Sequence, residues 1–202
     1  MRFSAVVPLL ACAAICQADR LITIPTGRKI PFGTLRYEFQ YDPADPSGSE
    51  SLLGIGISTS FDLELRTNQE SEIRGSGTFD LSYNYVAPLP GISPGFSFGV
   101  QDGANQTSDG RRFFAVTTFR EPSFTIDGDY PMDITLGMFF AKKSTPFVGV
   151  EIPFSKAFHL LAEDNGERIA AGAEFRPLSW LNLRAQAIGQ RTFFSAQVTS
   201  HF

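Results

Sequence analysis

Phe193-Phe194-Ser195-Ala196-Gln197-Val198-Thr199-Ser200-His201-Phe202 closes the chain, and its alternation decides the fold. Phe194, Ala196, Val198 and Phe202 fall on one side, with Ser200 the only break in that row. Phe193, Ser195, Gln197, Thr199 and His201 fall on the other. A period of two is the mark of a β-strand, whose successive side chains point to opposite faces.

The same grammar runs backwards through the chain. Val148-Gly149-Val150-Glu151-Ile152 recurs 23 residues later as Ala171-Gly172-Ala173-Glu174-Phe175, and again, more weakly, as Phe194-Ser195-Ala196-Gln197-Val198. Between copies, Phe158-His159-Leu160-Leu161-Ala162 matches Leu181-Asn182-Leu183-Arg184-Ala185. One repeat is therefore a two-stranded hairpin with two connections, and Gly and Glu or Gln keep to one face. Upstream, Leu35, Tyr37, Phe39 and Tyr41 oppose Arg36, Glu38 and Gln40. Similar alternating runs occur near 51–58, 61–66, 79–85, 96–101 and 132–140. Residues 112–119 are strand-like but ambiguous in parity, because Phe113, Phe114 and Phe119 do not share a face.

Connections alternate between compact, often proline-bearing turns and polar Gly/Asp/Asn-rich loops, which predicts twelve strands. The 120–131 connection is longer than its class. The expected fold is all-β: an antiparallel up-and-down transmembrane β-barrel with both termini on the compact-turn side.

Alternation alone also fits a secreted β-sandwich. Three features favour lipid on the apolar face. The opposite face carries Gly and Ser as often as charge, as a crowded lumen requires. Aromatics gather near strand ends at Tyr41, Tyr85, Phe175, Trp180 and Phe202, as in an interfacial girdle. Finally, Phe202 with Val198 resembles the terminal signal by which barrel-assembly machinery recognises outer-membrane proteins of Gram-negative bacteria.

The N-terminus reads as a secretory signal: Arg2, a mostly apolar run from Phe3 to Ile15, and small residues before a cut placed after Ala18. Leu9-Leu10-Ala11-Cys12 also resembles a lipoprotein processing site, with an unusually short apolar run before it. Both cysteines, Cys12 and Cys16, lie in this segment, so the mature chain is expected to have no thiol chemistry. The expected division is a signal peptide at 1–18, an extended periplasmic leader at 19–32 and the barrel at 33–202. Pro25, Gly27, Pro31 and Gly33 forbid a helix in the leader.

The net charge is −4, or −5 once Arg2 is removed. With no basic patch, nucleic acid is not an expected partner. No catalytic, cofactor or metal residues are assigned. His159 and His201 each stand alone on a polar strand face, and no Ser and Asn pair with either by spacing as a barrel phospholipase needs. The candidate site is instead the set of charges predicted to face the lumen: Arg36, Glu38, Asp62, Glu64, Arg66, Asp80, Asp133, Glu151, Glu163, Arg168, Glu174, Arg176 and Arg184. Either these close the lumen by ion pairs that hold strand register, or they line a porin-like channel mildly favouring cationic or neutral solutes. The absence of an evident constriction loop favours closure.

Ile24-Pro25-Thr26-Gly27-Arg28-Lys29-Ile30-Pro31-Phe32-Gly33-Thr34-Leu35-Arg36 resembles the entry segment of the YjbH-like outer-membrane proteins linked to exopolysaccharide production. Leu160 to Asp164, followed by Ala171 to Leu178, is similar to their recurring hairpin. The resemblance covers about half the mature chain and transfers no functional residue. It implies an outer-membrane barrel with surface polysaccharide as a partner, besides membrane lipid and the assembly machinery.

Overall fold

The computed structural model describes residues 20–68 and 77–202. The expected signal peptide, its cut site and Cys12 lie outside the described residues, as does most of the 67–77 connection.

Among the described residues fourteen strands follow in order: β1 (Thr34–Tyr41), β2 (Glu50–Gly56), β3 (Phe61–Asn68), β4 (Thr78–Val86), β5 (Gly95–Gln101), β6 (Arg112–Glu121), β7 (Phe124–Thr125), β8 (Gly128–Asp129), β9 (Met132–Phe140), β10 (Ser144–Pro153), β11 (Phe158–Asp164), β12 (Ile169–Leu178), β13 (Leu181–Ile188) and β14 (Arg191–His201). Twelve of them close into one antiparallel barrel, each beside its neighbours in sequence. β7 and β8 form a separate small hairpin inside the long 120–131 connection, across which β6 pairs directly with β9. The terminal strand quoted above closes the ring, from Thr34 opposite His201 to Tyr41 opposite Phe194. The expected twelve-stranded up-and-down barrel is the one that forms.

Two of the compact turns share a chemistry. In 57–61 the Ser58 hydroxyl accepts from the backbone N–H groups of Ser60 and Phe61, at 3.2 and 3.0 Å. In 154–158 Ser155 does the same for Ala157 and Phe158, at 3.2 and 3.0 Å. A serine opening the turn satisfies two donors that the ladder leaves unpaired, so the chain reverses in few residues.

Burial along each strand is inverted relative to a soluble protein. On β1 Arg36 is 2 % exposed while Phe39 is 40 % exposed. Tyr37, Tyr41, Leu65, Phe98, Leu136, Val148, Leu183 and Phe194 likewise face outward, forming an apolar belt. The parity of β6 is settled by its register: Phe114, Val116 and Thr118 face in, and Phe113 and Phe119 face out.

One expectation is corrected. Residues 20–31 do not form a leader outside the barrel; they fold into its lumen, and Phe32, 67 % exposed, lies where the segment leaves it. Leu21, Ile22, Ile24 and Ile30 are all buried, Ile24 completely. Leu21, Ile22 and Ile24 pack with the inward Phe114, Val116, Phe139, Phe147 and Leu161. The physical reason is space and solvation. Twelve strands enclose more room than wall side chains of this size fill. The segment's apolar and cationic groups both find partners there. Glycines make the seat. A Cβ on Gly149 would lie 2.5 Å from Leu21 Cδ2, and one on Gly54 2.5 Å from Ile30 Cδ1.

A plugged, ion-paired lumen as the candidate functional site

The plug enters beside β1 and reaches across the barrel. Near the compact turns, the Ile30 N–H donates to Asp62 at 3.2 Å. Gly27 donates from its N–H to Thr118 Oγ1 at 2.7 Å and accepts from Asn84 Nδ2 at 2.6 Å. A Cβ at Gly27 would lie 2.8 Å from the Gly95 carbonyl oxygen, so only glycine allows this approach. Further in, the chain reverses. Arg20 bridges Pro25, and the Leu21 N–H donates to the Ile24 carbonyl at 3.0 Å. At this bend the N–H groups of Ile22 and Thr23 point at one carboxylate, Glu163, at 2.9 and 2.8 Å. The Thr23 hydroxyl donates to the same group at 2.5 Å. A carboxylate facing successive N–H groups is the anion nest of tight turns, here supplied by the barrel wall.

Two arginines of the plug anchor it to carboxylates on opposite parts of the wall. Arg28 pairs with Asp133 on β9 and Glu151 on β10, both at 2.7 Å. Arg20 pairs with Glu38 on β1 at 3.1 Å and Glu64 on β3 at 3.2 Å. These carboxylates also hold wall arginines. Asp133 pairs with Arg120 at 3.1 Å, and Glu151 with Arg176 at 2.8 Å and His159 at 2.9 Å. Glu64 also pairs with Arg36, and Arg66 with Asp80 at 2.8 Å. Glu174 binds Arg184 at 2.5 Å and Arg176 at 2.5 Å. Arg184 also donates to the plug's Leu21 carbonyl at 3.0 Å. The network thus runs through strand and plug alike. Charges removed from water persist because each meets opposite charge and hydrogen bonds.

The loop-side mouth holds a recess of about 170 Å³, bordered by Arg66, Asp80, Arg112, Arg168, Arg191 and Thr23. Two aspartates organise the loops around it. Burial opposes the charge on Asp42. The N–H groups of Ala44 and Asp45 and the Arg191 guanidinium outweigh this and hold its carboxyl below the usual range. Burial also opposes the charge on Asp102, but donors prevail there too. They are the Thr78 hydroxyl at 2.5 Å, the Gln106 N–H at 2.7 Å and the N–H and hydroxyl of Thr107, both at 2.8 Å.

Of the thirteen charges expected in the lumen, Arg36, Glu38, Asp62, Glu64, Arg66, Asp80, Asp133, Glu151, Glu163, Glu174, Arg176 and Arg184 project inward from the strands. Arg168 does not join them: it sits exposed in the β11–β12 connection, at the rim of the recess. Strand alternation did not reveal Arg20 and Arg28, assigned to the leader, or Arg112 and Arg120, hidden by the ambiguous parity of β6. A signal for them was present, since eight inward carboxylates were set against five arginines, one of which lies outside. The missing cations come from the plug and from β6. Val198 faces outward on β14, opposite Tyr37. Phe202 lies past the strand end, 84 % exposed, with its N–H donating to Gly33 at 2.9 Å.

Among the described residues no group of three or more His, Cys, Asp or Glu side chains could hold a metal. His159 contacts Glu151 and Arg176, and His201 contacts Thr34 at 2.9 Å.

No family model matches the chain, and no curated protein matches it either. Two solved structures are similar. One is a KdgM porin in complex with disordered oligogalacturonate, at 13 % identity and a TM-score of 0.52. The other is a KdgM porin at 12 % identity and a TM-score of 0.51. Each alignment covers 84 % of this chain and 99 % of the other. The chain therefore has the closed twelve-stranded antiparallel barrel fold of the KdgM porins.

Proposed function

We propose that the protein is an outer-membrane β-barrel whose lumen is held shut by its own N-terminal segment, and that it serves at the cell surface in association with polysaccharide. The observation that carries closure is the seating of residues 20–31 across the lumen, with Arg20 and Arg28 each held by two carboxylates. The outward apolar belt and inward charge support a lipid environment, since charge is costly on a lipid-facing strand surface. The polysaccharide association rests on the YjbH-like segments. It is supported by one of the similar KdgM porins, which is in complex with disordered oligogalacturonate, a saccharide chain. Two measurements test the proposal. The protein should partition with the outer membrane and show heat-modifiable gel mobility; recovery as soluble periplasmic protein overturns it. Folded protein in planar bilayers should be electrically silent; steady ohmic steps overturn closure.

A second reading, a channel that opens on displacement of the plug, is favoured by the shared fold with porins.

A further inference from the structure

We propose that residues 20–32 are a displaceable internal ligand and that the lumen is a binding site for extended cationic segments. Its two guanidinium seats are Glu38 with Glu64 and Asp133 with Glu151. The inference rests on the closed-lumen reading and adds to it the identity of the bolt and the chemistry of what replaces it.

The geometry supports displacement rather than permanent filling. The plug is not a strand of the barrel: the ring of twelve closes between β1 and β14 without it. Its contacts to the wall are ion pairs, hydrogen bonds from N–H groups to wall side chains, and apolar packing. Each carboxylate that holds Arg20 or Arg28 also keeps an arginine of the wall. Arg36 and Arg66 remain near Glu64 and Arg184 near Glu38; Arg120 holds Asp133 and Arg176 holds Glu151. Departure of the plug therefore leaves none of these four carboxylates stranded without a counter-charge, while Glu163 exchanges the N–H groups of Ile22 and Thr23 for water admitted to the emptied lumen. It does remove three positive charges: Arg20 and Arg28 from the seats, and Lys29 from the turn carbonyls of Ser58 and Thr59. The eight inward carboxylates then face six inward arginines of the wall, namely Arg36, Arg66, Arg112, Arg120, Arg176 and Arg184. The space vacated is one extended chain wide near the compact turns, roughly 5 by 10 Å in section, and wider at the bend where Arg20 doubles back on Pro25. A passage of that width with an excess of carboxylate admits cations and extended peptides or amines bearing guanidinium or ammonium groups, and disfavours polyanions.

The test uses the full chain in planar bilayers, with folding verified by heat-modifiable mobility. Wild type is compared with R20Q/R28Q, and residues 20–32 are added as a synthetic peptide. The expected result is ohmic steps in R20Q/R28Q at least tenfold more frequent than in wild type, with cation preference in a salt gradient. The added peptide should close these steps, and the same peptide with both arginines replaced by glutamine should not. A barrel lacking residues 20–32 provides a second variant, expected to conduct continuously and to be closed by the same peptide. Folded but silent variants overturn the inference, as do anion-preferring steps or equal closure by both peptides. Conduction by wild type instead defeats the closed-lumen reading, while discrimination between the peptides still tests the seats.

Discussion

Replacing Arg28 by methionine isolates the contribution of one ionic seat to the plug. Methionine retains much of the buried stem and removes the guanidinium, which pairs with Asp133 and Glu151 at 2.7 Å each. Breaking a buried ion pair costs about 3–5 kcal/mol, largely because an uncompensated charge stays behind. Here compensation remains: Asp133 keeps Arg120 at 3.1 Å, and Glu151 keeps Arg176 at 2.8 Å. The low end applies, about 3 kcal/mol, which at 1.4 kcal/mol per decade is about a 100-fold shift toward the unseated plug. Amide exchange reads this directly. The N–H groups of Thr23, Gly27 and Ile30 donate to wall side chains and exchange only when the plug lifts. Their exchange should accelerate about 100-fold in Arg28→Met, while ladder amides of β12 and β13 keep their rates. Unchanged plug amides would refute the reasoning. Plug and ladder amides accelerating together would refute it equally, because the plug would then be inseparable from the barrel.

Four further outcomes are expected. In Gly56→Ala the new Cβ would overlap the Pro31 carbonyl oxygen, so the base of the plug must shift; protection of the Ile30 amide should fall while circular dichroism stays that of the intact barrel. Leu183→Arg puts a charge on the outward belt and should destabilise the barrel by about 2–4 kcal/mol in lipid, read by denaturant titration in vesicles. Asp102 has its carboxyl held below the usual range, so its contribution to the 102–111 loop is present above about pH 4 and fades as pH falls through its folded value. Exchange at Gln106 and Thr107 should therefore rise on acidification in wild type, and be high at every pH in Asp102→Asn. Phe202→Ser should lower the heat-modifiable fraction in cells while protein refolded in detergent is unaffected; an unchanged cellular fraction would remove any part for this side chain in assembly.

The ladder was legible because register and face are local properties. Phe194, Ala196 and Val198 announce their face by spacing alone, and so do Arg36, Glu38 and Gln40. β6 was not legible in this way: Phe113 and Phe114 are adjacent and equally apolar, and only pairing of Phe114 with Gly99 and Phe139 settles which one turns inward. The glycines on the inner face were legible as space but not as space for something. Gly54 and Gly149 read as relief of crowding, whereas their Cβ positions are taken by Ile30 and Leu21.

By itself the sequence determined an alternating chain of twelve strands, an inside rich in charge and an outside rich in aromatics. A period of two and the solvation cost of each side chain are written residue by residue. What occupies the lumen was decided by tertiary structure. Residues 20–32 carry no period and could lie in water as readily as in a barrel. Their position depends on carboxylates brought together from β1, β3, β9, β10 and β11, which are up to 125 residues apart in the chain, from Glu38 to Glu163. Only the closed ring holds those charges at hydrogen-bonding distance from Arg20, Arg28 and the bend at Ile22–Thr23.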